Sequence, residues 1–211
     1  MKNCYVAGAG DFVPSVLPKP GDLVIAADAG LAVLRRAGVS PDLIVGDFDS
    51  LGEVPEGTDV VRHPVMKDDT DLALAVSEGA ARGCTDFVLN GTLGGRLDHT
   101  LANIQLLRRI AEQGGRGVLV GPNECLTAVH NGALRFSADA KGYVSVFCLG
   151  DRAEGVDLEG LLYPLRDAAL TGDRALGVSN EFTGAASRVA VRNGTLLVVW
   201  RDSIDRLLPL E

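Results

Sequence analysis

The chain carries no surplus of basic charge, no paired-cysteine motif and no apolar run long enough for a bilayer. Its 211 residues hold 20 Lys and Arg against 28 Asp and Glu, a formal net charge of −8. Affinity for nucleic acid or an anionic membrane draws on basic patches, so neither is an expected partner. Cys4, Cys84, Cys125 and Cys148 stand apart, with no C-x-x-C pair, and read as small buried hydrophobes. No stretch approaches the roughly 20 apolar residues of a membrane span. The opening Met1-Lys2-Asn3-Cys4-Tyr5-Val6 runs straight into a strand-like segment without a signal-peptide apolar region, which makes a cytoplasmic location the expectation. There is no Walker A sequence, which excludes an ordinary P-loop kinase. Internal repeats and low-complexity linkers are also missing.

What the chain does contain is an alternation of short apolar runs and helical stretches over its first ~120 residues. Strands are predicted at Cys4–Ala7, Leu23–Ala26, Leu43–Val45, Val60–Arg62, Phe87–Leu89 and Val118–Val120. Helices are predicted at Gly30–Ala37, Thr70–Ala81 and Asp98–Gln113. Strands rich in Val, Ile and Leu between helices predict a mostly parallel, Rossmann-like α/β sheet. From about Asn123 the pattern turns β-rich. Gly142–Leu149 alternates, and Arg188–Val191 and Leu196–Trp200 flank Asn193-Gly194, a hairpin signal. Only Asp167–Leu170 looks briefly helical. The expected organisation is an α/β domain over 1–123 and a small all-β sandwich domain over 124–211, with Trp200 as core or interface filler.

Three acidic clusters follow apolar runs in the first half: Asp47-Phe48-Asp49, Asp68-Asp69-Thr70-Asp71, and Asp98 in Gly94-Gly95-Arg96-Leu97-Asp98-His99. Ligands of open parallel sheets bind beyond the carboxyl ends of the strands, where these clusters fall. Two carboxylates about 4 Å apart repel by roughly 1 kcal/mol in water and about 4 kcal/mol at an effective dielectric near 20. A cation would relieve that repulsion, and hard oxygen ligands suit Mg²⁺, which usually brings phosphates. Residues two apart in an extended chain point the same way, so Asp47 and Asp49 can share a cation; the plainer alternative is an acidic turn with Ser50 capping a helix. Asp68 can cap the helix that follows, which leaves Asp71 as the favoured metal ligand and Asp69 as a surface charge.

Gly91-Thr92-Leu93-Gly94-Gly95-Arg96 is a glycine-rich strand-to-helix turn. Its backbone N–H groups can approach phosphate oxygens, and Arg96 can bind them through two N–H groups. Gly8-Ala9-Gly10 fails the full dinucleotide fingerprint because position 13 is Val, and reads as a turn. His99 on its own reads as a helix-start residue.

These segments resemble the thiamine pyrophosphokinase family. The likeness rests on Ala27-Asp28-Ala29-Gly30, Pro41–Ser50, Lys67–Asp71 and Gly94–His99. It continues through Gly160-Leu161-Leu162-Tyr163-Pro164-Leu165 and Gly177-Val178-Ser179-Asn180-Glu181-Phe182, in family order over essentially the whole chain. The resemblance implies transfer of the pyrophosphoryl group of ATP to the hydroxyl of thiamine, giving thiamine diphosphate and AMP. It implies Mg²⁺ on Asp47, Asp49 and Asp71, with Asp98 at the same site. ATP is expected at Asp28, Gly30, Thr92, Gly94, Gly95, Arg96 and His99, and thiamine at Tyr163, Ser179 and Asn180. The catalytic set is Asp71, Asp98 and Arg96, with Asp71 or Asp98 as proton acceptor. A homodimer with active sites at the subunit interface is also implied. Ala29 departs from the family's A-D-G-G. The competing reading is a Mg²⁺-dependent pyrophosphotransferase of the same fold acting on another alcohol or a pterin-like acceptor.

Overall fold

A computed structural model describes residues 2–46, 58–62 and 69–208. Asp47, Asp49 and Asp68, with the turn or cap readings attached to them and to Ser50, lie outside the described residues. The chain divides into two compact units. One is Met1–Leu106 with Leu119–Pro122; the other is Leu107–Val118 with Asn123–Glu211.

In the first unit, strands β1 (Lys2–Ala7), β2 (Leu23–Ala27), β3 (Leu43–Gly46), β4 (Asp59–Arg62) and β5 (Cys84–Asn90) are joined through α1 (Gly30–Arg36) and α2 (Asp71–Ala81). The order is β5-β1-β2-β3-β4, and among the described residues each of these neighbouring pairs is parallel. Cys4 to Ala7 are all at most 1% exposed, which is why the run is apolar without alternation. Leu31 and Leu34 of α1 pack with Tyr5, Ala7, Val24, Ala26 and Ile44. On α2, a Cβ at Gly79 would stand 3.0 Å from Cys4 Sγ. Neighbouring residues of a strand point to opposite faces, so the two helices cover opposite sides of the sheet.

Helix α2 begins at Asp71, capped by Thr70 in extended conformation, whose Oγ1 accepts from Ala73 N at 3.2 Å. The cap is therefore Thr70: a hydroxyl one residue before the first turn reaches the third amide. Asp69 is half-buried and has a polar partner, unlike a solvated surface charge. Thr70→Ala should cost about 1 kcal/mol. That corresponds to a melting temperature lower by about 2–4 °C, measurable by differential scanning fluorimetry.

Helix α3 (Leu97–Glu112) follows β5, and β6 (Arg116–Val120) follows α3. The second unit is antiparallel. Strands β7 (Cys125–His130), β9 (Tyr143–Cys148), β12 (Gly177–Glu181) and β14 (Thr195–Trp200) pair in the order β12-β9-β14-β7; β8 (Ala133–Phe136), β10 (Arg152–Glu159), β11 (Leu165–Thr171) and β13 (Ser187–Ala190) pair as β11-β10-β13-β8. Trp200 is fully buried, its ring edge-on to Phe136 at 5.4 Å, and its Nε1–H donates to Ser203 O. It is core.

Two expectations need correction. Asp167–Leu170 is strand, not helix: Ala168 pairs with Val156 and Leu170 with Ala153, and Asp167 sits at φ +44°, outside any right-handed helix. Cross-strand pairing overrides the weak helix propensity of so short a run. Asn193-Gly194 is not a hairpin turn, because β13 pairs with β8 and β10 whereas β14 pairs with β7 and β9. Its polar groups are met elsewhere: Gly194 N–H donates to Asn131 Oδ1 and Asn193 O accepts from Glu154 N–H, each at 2.8 Å.

Among the described residues no cysteine forms a disulfide. Cys4, Cys84 and Cys125 are buried, and Cys148 is half-buried. Burial pushes the Cys125 thiol up to about 12, so it stays protonated and inert. No helix among the described residues is long and apolar enough to cross a membrane.

Candidate active site

The strand order reverses at β1, which has β2 on one side and β5 on the other. A cleft of about 340 Å³ opens there, beyond the carboxyl ends of both strands. One wall is Gly8–Gly10 after β1, with Asp28 after β2. The other is Gly91–Arg96 after β5, with Thr70, Asp71, His99 and Asn103 from the two helices.

The two glycine segments lie backbone to backbone. Gly8 N–H donates to Asn90 O, Gly10 N–H to Gly91 O and Asp11 N–H to Leu93 O, at 2.8, 2.6 and 2.8 Å. A Cβ on Gly8 would stand 2.5 Å from Gly91 O, and one on Gly10 2.4 Å from Leu93 O. Only glycine allows that approach. Asn90 holds the segment from behind: fully buried, its Oδ1 accepts from Val13 N–H and its Nδ2 donates towards Tyr5 Oη, Val13 O and Val16 O. Burial pushes the Tyr5 phenol up to about 12, so it remains a donor, to Val16 O at 2.9 Å.

Through these bonds, and one from Asn103 Nδ2 to Thr92 O at 2.6 Å, the carbonyls of residues 90–93 are consumed by protein donors. Among the described residues no protein acceptor meets the N–H groups of Leu93, Gly94 or Gly95. Gly94 and Gly95 adopt φ of +81° and +70°, a loop conformation suited to cradling anions. A wall with satisfied acceptors and unspent donors favours a phosphate chain.

Arg96 is exposed and forks onto Asp98, Nε to Oδ1 at 3.1 Å and Nη2 to Oδ2 at 2.5 Å. The Arg96 hydrogen bond, above all, holds the Asp98 carboxyl below its ordinary range, assisted by His99 N–H. Nη1 takes no part in that fork, which leaves one edge of the guanidinium for an anion. Asp98 itself does not line the cleft; Asp71 does. Asp28 lines it too, with φ +49° and its N–H bonded to Val45 O. A non-glycine residue in the left-handed region stores strain of the kind found at functional sites. Gly30 lies behind the cleft: a Cβ there would be 2.0 Å from Ala7 O, so it lets α1 start against β1.

The carboxylates of Asp28 and Asp71 are hard oxygen donors of the type Mg²⁺ takes. Among the described residues no group of three His, Cys, Asp or Glu stands close enough to hold a metal, and Asp47 and Asp49 fall outside that set. The donors present fit the ion in kind.

In the second unit Tyr163, Ser179 and Asn180 come together on β12 and the loop beside it. Asn180, 2% exposed, accepts from Tyr163 N–H and donates to Tyr163 O, at 2.9 and 2.7 Å. With that clamp Tyr163 is 62% exposed. The register against β9 shifts between Gly177 and Asn180, a bulge that carries Ser179 at φ +58°. Ser179 N–H donates to Ser145 Oγ at 3.1 Å.

Sequence reasoning took Gly8-Ala9-Gly10 for a turn and passed over Asn103. The signal for the first was its place directly after the first strand. For Asn103 it was a position four residues after His99, on the same helix face.

Residues 17–119 match the family description "Thiamin pyrophosphokinase, catalytic domain" and residues 133–196 match "Thiamin pyrophosphokinase, vitamin B1 binding domain". The chain belongs to the thiamine pyrophosphokinase family. Members transfer the pyrophosphoryl group of ATP to thiamine, giving thiamine diphosphate and AMP. Over 206 residues the chain is 27% identical to the thiamine pyrophosphokinase of Bacillus subtilis, covering 93% of this chain and 96% of the relative. The crystal structure of thiamine pyrophosphokinase from Bacillus subtilis superposes with a TM-score of 0.83 at 25% identity, over 96% of this chain and all of the other. A thiamin pyrophosphokinase family protein from Enterococcus faecalis gives 0.80 at 26%, with the same coverage. The two-domain fold is that of the family, with an antiparallel second sheet.

Proposed function

We propose that the cleft at the β1–β5 switch is the ATP site of a thiamine pyrophosphokinase. In this reading residues 1–123 form a Rossmann-like catalytic domain and residues 124–211 a thiamine-binding β-sandwich. The observation that carries it is the loop wall with satisfied carbonyls and unspent N–H groups beside Arg96. Asp28, Thr92, Gly94, Gly95, Arg96 and His99 would serve the nucleotide, with Gly30 seating α1 behind them. Asp47, Asp49 and Asp71 would hold Mg²⁺, which when bound neutralises charge on the polyphosphate.

The thiamine hydroxyl oxygen attacks the β-phosphorus, the bond from the β-phosphorus to the α-phosphate oxygen breaks, and AMP leaves. Positioning and charge stabilisation supply most of the barrier reduction in such transfers. The loop amides and Arg96 are fixed donors for the negative charge that grows on the departing phosphate. Of the two candidate bases, Asp98 has both oxygens bonded to Arg96 and does not line the cleft, whereas Asp71 lines it and would keep one carboxylate oxygen free of Mg²⁺. Asp71 is therefore assigned the hydroxyl proton.

Tyr163, Ser179 and Asn180 would serve thiamine, with Tyr163 offering an aromatic face to a cationic ring. The same surface bears exposed Tyr143, Phe147, Leu162 and Val178, consistent with a homodimer whose active sites lie at the subunit interface. A cytoplasmic location belongs to this reading. Ser179→Ala should raise KM for thiamine several-fold and leave KM for ATP unchanged; an effect confined to ATP would contradict the assignment.

The direct test incubates the protein with ATP, Mg²⁺ and thiamine and resolves products by chromatography. Thiamine diphosphate and AMP in equal amounts are expected. Turnover with another alcohol but none with thiamine would reject thiamine as the acceptor.

A further inference from the structure

The donor wall works only while the peptide planes from Gly91 to Gly95 keep one orientation. In a trans peptide the C=O and the following N–H point in opposite directions. Two of these planes are anchored on the β1 side, through Gly91 O and Leu93 O. The Thr92–Leu93 plane has no such anchor. Glycines at positive φ stand one residue beyond it on either side, at Gly91 (+70°) and Gly94 (+81°), so the flanking chain can adjust when the plane turns. A flip there would reverse the Leu93 N–H, one of the unspent donors of the loop.

We propose that Asn103 is the positioning residue that prevents this flip. Its Nδ2 donates to Thr92 O at 2.6 Å, and the side chain is 6% exposed, out of competition with water. It stands one turn after His99 on α3, so the helix that carries His99 into the cleft also fixes the loop. Asn103 thereby sets the affinity of the wall for the phosphate chain. This rests on the reading that the 91–96 loop receives the phosphates of ATP.

The test compares Asn103→Leu, which keeps the branched shape but cannot donate, with the isosteric Asn103→Asp, which while ionised also cannot. Asn103→Ala serves if either fails to fold. Titration calorimetry with Mg²⁺ present reads Kd for ATP and for AMP, and steady-state assays read KM for thiamine. Kd for ATP should rise about tenfold, the worth of one buried hydrogen bond, with AMP and thiamine values within about twofold of wild type. Equal weakening of ATP and AMP would show general loosening and overturn the proposal, as would unchanged ATP affinity. Arg96→Ala separates the two layers. If it weakens ATP while the Asn103 variants do not, the clamp alone fails; if it too leaves ATP binding intact, the phosphate reading of the loop fails.

Discussion

Asp71→Asn is expected to lower turnover by about 10²–10⁴-fold, the scale of losing one fixed electrostatic or acid–base group from an active site. The substitution keeps the side chain's volume and removes only its charge and its proton affinity. Asp71 is the first residue of α2, behind the Thr70 cap, and lines the cleft. As a carboxylate at a helix N-terminus it contributes about 0.3–1 kcal/mol through the helix dipole. The melting temperature should therefore fall by no more than about 4 °C. Thiamine diphosphate formation at saturating ATP and thiamine gives the rate, and fluorimetry the stability. Wild-type turnover in this variant would remove Asp71 from both the metal set and the role of base.

Gly10→Ala should damage stability and activity together. The added methyl would meet Leu93 O at 2.4 Å and Gly91 O at 3.0 Å, both backbone atoms that cannot swing aside. The two loops must part, which strains the 2.6 Å bond from Gly10 N–H to Gly91 O and tilts the phosphate wall. Overpacking of this kind costs about 1–3 kcal/mol, which corresponds to a melting temperature lower by roughly 2–12 °C. Misplacing the wall by about 1 Å should lower kcat/KM for ATP about 100-fold. Gly95→Ala is the contrast. Its Cβ meets nothing within 4 Å, so only the left-handed φ of +70° opposes it, at about 1–2 kcal/mol. Equal ATP kinetics in Gly10→Ala and wild type would show that the close approach does not shape the site.

The parallel strands and their helices were legible because residues buried on both faces leave uninterrupted apolar runs, as in Cys4–Ala7 and Leu43–Val45. The second unit was legible only in outline. β12 reads Gly-Val-Ser-Asn-Glu, a half-exposed edge strand with a bulge, and carries no periodic signal. Asn193-Gly194 has hairpin chemistry, yet the strands it joins pair with different partners. A local dipeptide specifies a reversal and cannot specify which sheet the next strand enters.

By itself, the sequence determined the parallel α/β character of the first half, the β-rich second half, the helix-opening Asp71 and the anion-suited turn before Asp98. Each follows from local burial, capping or backbone freedom, which operate between near neighbours in the chain. Only the tertiary structure decided that Gly8–Gly10 forms the opposite wall, that Asn103 anchors Thr92, and that Asp98 turns to Arg96 rather than into the cleft. Asn103 with Thr92 and Arg96 with Asp98 close within the β5–α3 connection, whereas the first outcome depends on contacts between segments more than 80 residues apart, Gly8 with Asn90 and Gly10 with Gly91. Such contacts are set by strand order, and strand order is a property of the folded sheet rather than of any one segment.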